Sequence, residues 1–254
     1  MKIPGHTVSQ TENETERNTV DPLRLIQRAL TSDTDRREWL KRAIAAGAMV
    51  SVVPALLAAS RLPAGQTIYK LSGDVRVNGI KATPKSNIKS GDTVETGRDS
   101  AITFVVGTDA FRMRENSRVE LQPTPDRGVG LLRVLTGGLL SVYGKGRKRI
   151  RTPTATIGIR GTGTYVEASE ERTYFCCCYG TAEMASSLNS ALSETVETSY
   201  HEAPRFISGG DTPEIIPAPV INHGDDELVL LESLVGRVPP FYEGEERGGS
   251  GGYG

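Results

Sequence analysis

Short runs with period-two alternation dominate the chain from about residue 67 to residue 185. Ile102, Phe104 and Val106 share one face of one run. Phe111 and Met113 alternate with Arg112 and Arg114, and Val119 and Leu121 with Arg118 and Glu120. This is the pattern of strands that bury one face and wet the other. Turn signals separate the runs: Asn78-Gly79, Ser90-Gly91-Asp92, Gly107-Thr108-Asp109, Gly137-Gly138 and Gly144-Lys145-Gly146. Many short strands at this spacing predict a sandwich, barrel or solenoid. The basic run Lys145–Arg151 fits a solvated hairpin turn between two of them.

Helical periodicity enters near the C-terminus. Leu228, Leu231, Leu234 and Val235 make an apolar stripe over 225–235. Asp225, Asp226 and Glu227 suit the positive N-terminal end of that helix. Gly236 can end it, and Pro239-Pro240 prevent its restart. Its leucines, Leu228, Leu231 and Leu234, either dock on the β region or contact a partner. Residues 186–198 predict a loop or exposed helix, and 201–219 an extended, proline-bearing segment. The glycine-rich tail 244–254 predicts a flexible end.

The N-terminal region reads as an address. Arg36 and Arg37 precede an apolar run, Ala43–Ala59, that Pro54 interrupts. Paired arginines before such a run mark an export signal. The string DRREWLK is similar to the twin-arginine signal, with Asp35 where Ser or Thr stands and Trp39 in the aromatic slot. Ala58 and Ser60 offer a cleavage site before Arg61. An uncleaved membrane anchor is the other reading, although the run falls short of the roughly 20 apolar residues of a span. Either reading places the chain from residue 61 onward in the periplasm, free or held at the inner membrane. The organisation follows: 1–60 N-terminal region and signal or anchor, 61–185 β domain, 186–243 extension with helix 225–235, and 244–254 tail.

Composition narrows the function classes. The 254 residues carry a net charge of −1, so no global charge favours nucleic acid. No aromatics interleave with the basic run, which excludes a stacking surface for single strands. No Ser-His-Asp order and no carboxylate pair suggest catalysis or a small-molecule substrate, so no enzyme is expected.

One stretch is more specific than any other. TPTATIGIRGTGTY, Thr152–Tyr165, alternates as a strand and then places Gly161 and Gly163 around Thr162. Glycines inside a strand mark a bulge or a close backbone approach. Arg160, in the same strand, either reaches the surface or pairs with an acid of a neighbouring strand. With the GDVRVNG, SGDTVETG, SAITFVVG, RENSRVEL and LRVLTGGLLSV segments before it and YGTAEM after it, the stretch resembles the FecR-domain family. The resemblance implies a compact, two-sheet, solenoid-like mainly β fold. It also implies an envelope sensing, regulatory or scaffolding module acting through protein contacts. The classical member is an anchored regulator of a sigma factor, but residues 1–42 do not resemble its anti-sigma segment.

The three cysteines are consecutive, Cys176–Cys178. On a strand Cys176 and Cys178 share a face with Tyr174, while Cys177 shares the other with Phe175 and Tyr179. Cys177 then reads as a core residue. Same-face neighbours on a strand stand at or beyond the usual disulfide limit of about 7 Å. Two thiols on one face are soft metal ligands instead. His201 and His223 are the only histidines after the β region. Cys176, Cys178, His201 and His223 together would suit Zn(II) or copper. The spacing matches no standard zinc motif, and a redox-active pair using Cys176, Cys178 and His201 is the related alternative.

Overall fold

The computed structural model describes residues 62–123 and 129–243. Arg36, Arg37, the apolar run Ala43–Ala59 and the tail 244–254 lie outside them. Among the described residues no helix is long and apolar enough to cross a membrane.

The alternating runs form fourteen strands: β1 Ile68–Ser72, β2 Val75–Val77, β3 Ile80–Lys81, β4 Thr93–Thr96, β5 Ala101–Val106, β6 Asp109–Met113, β7 Arg118–Pro123, β8 Val129–Val142, β9 Arg147–Arg151, β10 Ala155–Ala168, β11 Arg172–Ser186, β12 Ser193–Thr198, β13 Arg205–Ser208 and β14 Ile215–Pro217. Two helices follow, α1 Asp225–Leu234 and α2 Pro240–Glu243. The mainly β fold with a short C-terminal helix is as the sequence predicts.

Hydrogen bonding joins all fourteen strands into one unclosed sheet. Three long strands nevertheless divide it into two layers. The first half of β8 pairs with β7 and β9, and its second half with β6 and β10. β10 pairs with β9 over Thr156–Arg160 and with β8 over Gly163–Ala168. β11 pairs with β13 over Arg172–Phe175 and with β12 over Gly180–Ala185. One layer thus contains β1, β5, β6, β13 and β14, and the other β2, β3, β4, β7, β9 and β12. Both layers supply one core. Phe104, Phe111, Leu139, Val166, Phe175 and Ile207 come from the first, and Val94, Val119, Leu132, Ile150, Ile157 and Met184 from the second.

The crossing point lies in the TPTATIGIRGTGTY strand. The β10–β11 register slips between Arg160 and Gly163 and again between Gly163 and Thr164. Gly161 has φ +58, and Gly180 opposite has φ +94. A Cβ on Gly163 would stand 2.5 Å from the Tyr179 ring. The glycines therefore do both things that glycines in a strand imply, a bulge and a close approach.

The bulge corrects one expectation. Thr164 pairs with Cys177 and Gly163 with Tyr179, so Cys178 is the extra residue. Beyond it the alternation shifts, and Tyr179 joins the face of Cys176 and Cys178 instead of that of Cys177. Two further corrections, and one choice between open readings, concern charge and register. The basic run is a strand, β9, with only Lys145 and Gly146 in the turn before it. Arg147, Arg149 and Arg151 point outward, while Lys148 turns inward to Asp109 at 2.6 Å. Arg160 is exposed opposite Arg147 and makes no ion pair among the described residues, so of the two sequence readings the surface one holds. Residues 193–198 are a strand, because β11 extends past the hairpin and leaves an edge for them to pair with.

The bulge generates a test. Gly163→Ala should destabilise by roughly 1–3 kcal/mol through overpacking against the Tyr179 ring. Gly158→Ala, whose added Cβ would meet nothing closer than 3.8 Å, should be close to neutral in the same denaturant titration.

Candidate metal centre

β11 presents different faces to two cores. Phe175 and Cys177 enter the core between the layers. Tyr174, Cys176, Cys178 and Tyr179 lie on the outer face, with Ala110, Leu140, Val142 and Tyr165. Leu228, Leu231 and Leu234 of α1 cover that face. The leucine stripe is therefore turned to the sheet, with Leu228 and Leu231 fully buried.

The chain after β12 returns to the cysteine strand. Thr198 Oγ1 donates to the Cys177 carbonyl at 2.8 Å, and the His201 amide to the Cys178 carbonyl at 3.0 Å. His201 itself takes φ +50. The second histidine is placed by Tyr174, whose hydroxyl donates to Pro219 O at 3.0 Å and accepts from the Ile221 amide at 3.3 Å. Asn222, at φ +56, then turns the chain toward His223. Left-handed backbone at non-glycine residues is uncommon and gathers at functional sites.

These elements bring the four sequence-predicted residues together. The ligand atoms of Cys176, Cys178, His201 and His223 all lie within 4.8 Å of one another. Cys176 Sγ is 3.5 Å from His201 Nδ1, which is 3.1 Å from His223 Nε2. Zinc–sulfur bonds of about 2.3 Å and zinc–nitrogen bonds of about 2.0–2.1 Å imply tetrahedral edges near 3.3 Å for N···N and 3.5 Å for N···S. The two measured edges agree with those values.

The outward nitrogen of His223 fixes which of its lone pairs faces inward. His223 Nδ1 donates to Ile221 O at 2.6 Å, leaving Nε2 bare toward the cluster. His201 Nε2 is buried and lies 3.3 Å from Asp225 Oδ1, an ionic contact without hydrogen-bond alignment. His201 Nδ1 faces the cluster, within hydrogen-bond distance of both Cys176 Sγ and His223 Nε2. Tyr200 donates to the other Asp225 oxygen at 2.6 Å. Tyr165 stacks on His223 with centroids 4.7 Å apart. Carbonyl and carboxylate partners behind imidazoles are the usual outer support of metal-ligating histidines. The two inward nitrogens stand 3.1 Å apart, a spacing that one shared proton or one metal ion can bridge.

The thiols differ in charge. A hydrogen bond from Cys178 holds the Cys176 thiol well below its ordinary range against the effect of burial, with His201 and His223 adding to it. Burial pushes Cys178 up, so the pair carries one negative charge, on Cys176. Burial likewise pushes Cys177 up to about 12. Burial opposes charge on His201, yet the Cys176 thiolate and Asp225 raise its pKa.

Sequence reasoning named the four residues that converge and missed their supports. Asp225 serves His201, not the His223 it adjoins, and Glu202 caps the Ser199 amide instead. Tyr165 and Tyr200 gave no sequence signal beyond aromaticity, and alternation gave Tyr174 its face but not its partners, because these roles arise from residues far away in the chain.

Residues 92–183 match the FecR protein family model. The match covers less than half of the chain. It contains the bulged strand and all three cysteines, and it ends before His201, His223 and α1. No curated protein matches the chain. Two solved structures of a candidate anti-sigma factor from Parabacteroides distasonis ATCC 8503 are similar to it. They share 11% and 9% identity, with TM-scores of 0.41 and 0.42, and each covers 50% of this chain. The chain spans 58% of the length of each.

The charge distribution predicts a titration. In metal-free protein, thiolate absorption in the ultraviolet should already be present at neutral pH and be lost only well into acid. Cys176→Ser should abolish that early signal and Cys177→Ser should keep it. The sign for stability follows from the depressed pKa. Ionised Cys176 stabilises the fold fully above its unfolded pKa of about 8.5, and this is lost as pH falls through the folded value.

Proposed function

We propose that the chain is a non-enzymatic, metal-binding FecR-domain module of the cell envelope, acting in regulation or scaffolding through protein contacts. The observation that carries this is the convergence of Cys176, Cys178, His201 and His223 around one point. Two thiolates and two imidazoles in a tetrahedral arrangement suit Zn(II), with copper as the competing ion. A two-iron cluster would hold its cysteine and histidine pairs on separate irons. The 3.5 Å between Cys176 Sγ and His201 Nδ1 favours a single ion instead.

Four protein ligands leave a tetrahedral ion no open position, which supports a non-catalytic role. The FecR match supports regulation by protein contact. Since it ends at residue 183, half of the ligand set belongs to the extension, and metal binding is a property of this chain beyond the family segment. The twin-arginine-like signal, Arg36 and Arg37, places the module in the periplasm or at the inner membrane facing it. That route carries folded proteins, so the ion would be taken up before export.

Full-length protein, purified and reconstituted, should bind one equivalent of Zn(II). The Cys176→Ser/Cys178→Ser double variant should lose it, and Asp225→Asn should weaken it by about 10–100-fold. Metal-free wild-type protein that takes up neither Zn(II) nor copper sinks the reading. The alternative of an anchored sigma-factor regulator has its own observation, the apolar run Ala43–Ala59. The mass of the mature protein decides between them: a start near Arg61 excludes a transmembrane relay, and an intact N-terminus excludes the cleaved form.

A further inference from the structure

The four residues belong to three stretches that no disulfide cross-links, since all three cysteines are free. Cys176 and Cys178 sit on β11. His201 and His223 sit in loops of the extension, and His223 lies two residues before α1 begins. α1 has no side-chain cap at its start: Gly224 takes the capping position without one. Its first acid, Asp225, is committed to Tyr200 and His201. The start of the helix is therefore organised by the ligand cluster.

Beside its apolar stripe, α1 has further polar ties. Glu227 meets Arg112 at 2.9 Å and Arg114 at 2.6 Å. Glu232 accepts from Tyr179, and from Arg237 at 2.5 Å. Between them Leu228, Leu231 and Leu234 fill the outer face over Leu140, Val142 and Tyr165. While α1 is docked, that stripe is closed to any other protein.

We infer that the ion is a clasp: its occupancy sets whether the His201 loop, residues 199–204, and the segment 219–236 with α1 stay on the outer face of the sheet, while β13 and β14 remain paired. The inference rests on the metal reading above. With the ion bound, His201 and His223 are tied to the β11 cysteines, and the loop and helix close as one unit. Without it, the two imidazoles lose their tie to the β11 cysteines and keep only the 3.1 Å contact between their own nitrogens. Opening then uncovers both the leucine stripe and the sheet face beneath. The core between the layers stays closed, because β11 holds Phe175 and Cys177 in it and β13 holds Ile207 in it whether or not the ion is bound.

A ligand that binds only the closed form shifts opening by the ratio of free ligand to its dissociation constant. Hydrogen exchange of the full-length protein reads this directly. One sample carries one equivalent of Zn(II) and the other has been stripped with a chelator, and metal content is measured on both. At free Zn(II) about 100 times the dissociation constant, amides in 199–204 and 219–236 should exchange about 100-fold more slowly than in stripped protein. Amides of β5 and β6 should be unchanged. His223→Ala should exchange fast over 219–236 even with Zn(II) present. Bound Zn(II) with equal exchange in both samples overturns the clasp and leaves the metal reading standing. Equal loosening of β5 and β6 also overturns it, since the ion would then staple the whole fold. Absence of bound metal overturns both.

Discussion

Where β10 and β11 cross from one layer to the other, the backbone at Gly163 runs against the ring of Tyr179, at a distance no side chain would tolerate. That contact and the register slips around it set the rest of the structure. The slips let three long strands serve both layers, so one core can be closed by strands from a single connected sheet. They also make Cys178 an extra residue and turn Tyr179 outward. Without the slip Tyr179 would follow Cys177 into the core. With it, Tyr179 reaches Glu232 and helps to fix α1 on the outer face.

The outer face shows how the extension is fastened. Apolar burial supplies the larger share: a fully buried leucine contributes about 1.5–3 kcal/mol, and Leu228 and Leu231 are both fully buried. The buried carboxyl of Glu232 costs energy by itself, and burial raises its pKa despite Tyr179 and Arg237. Such a group adds position more than stability. Tyr174, Tyr165 and Asp225 likewise position the histidines without touching the point where the ligands meet. The site is thus assembled from the segment that matches the FecR family model, which supplies two thiols, and an extension, which supplies two imidazoles and their supports.

Much of this was legible in the sequence because it depends on local pattern. Period-two runs gave the strands, Gly161 and Gly163 the bulge, and Leu228, Leu231 and Leu234 the face of α1. The same-face rule put Cys176 and Cys178 together, and the scarcity of histidines pointed to His201 and His223. What failed depends on pairing across long distances. The face of Tyr179 needed a register slip opposite Gly163. The strand at 193–198 needed an open edge on β11. The basic run became a strand because β8 and β10 leave a place between them, and its outward arginines left Lys148 free to meet Asp109. The supporting role of Asp225 arises only when residue 225 is folded against residue 201.

The central claim is that Cys176, Cys178, His201 and His223 hold one ion. X-ray absorption at the zinc edge of reconstituted full-length protein tests it most directly. The account predicts a first shell of two sulfurs at about 2.3 Å and two imidazole nitrogens at about 2.0–2.1 Å. A shell of oxygen and nitrogen without sulfur would contradict it.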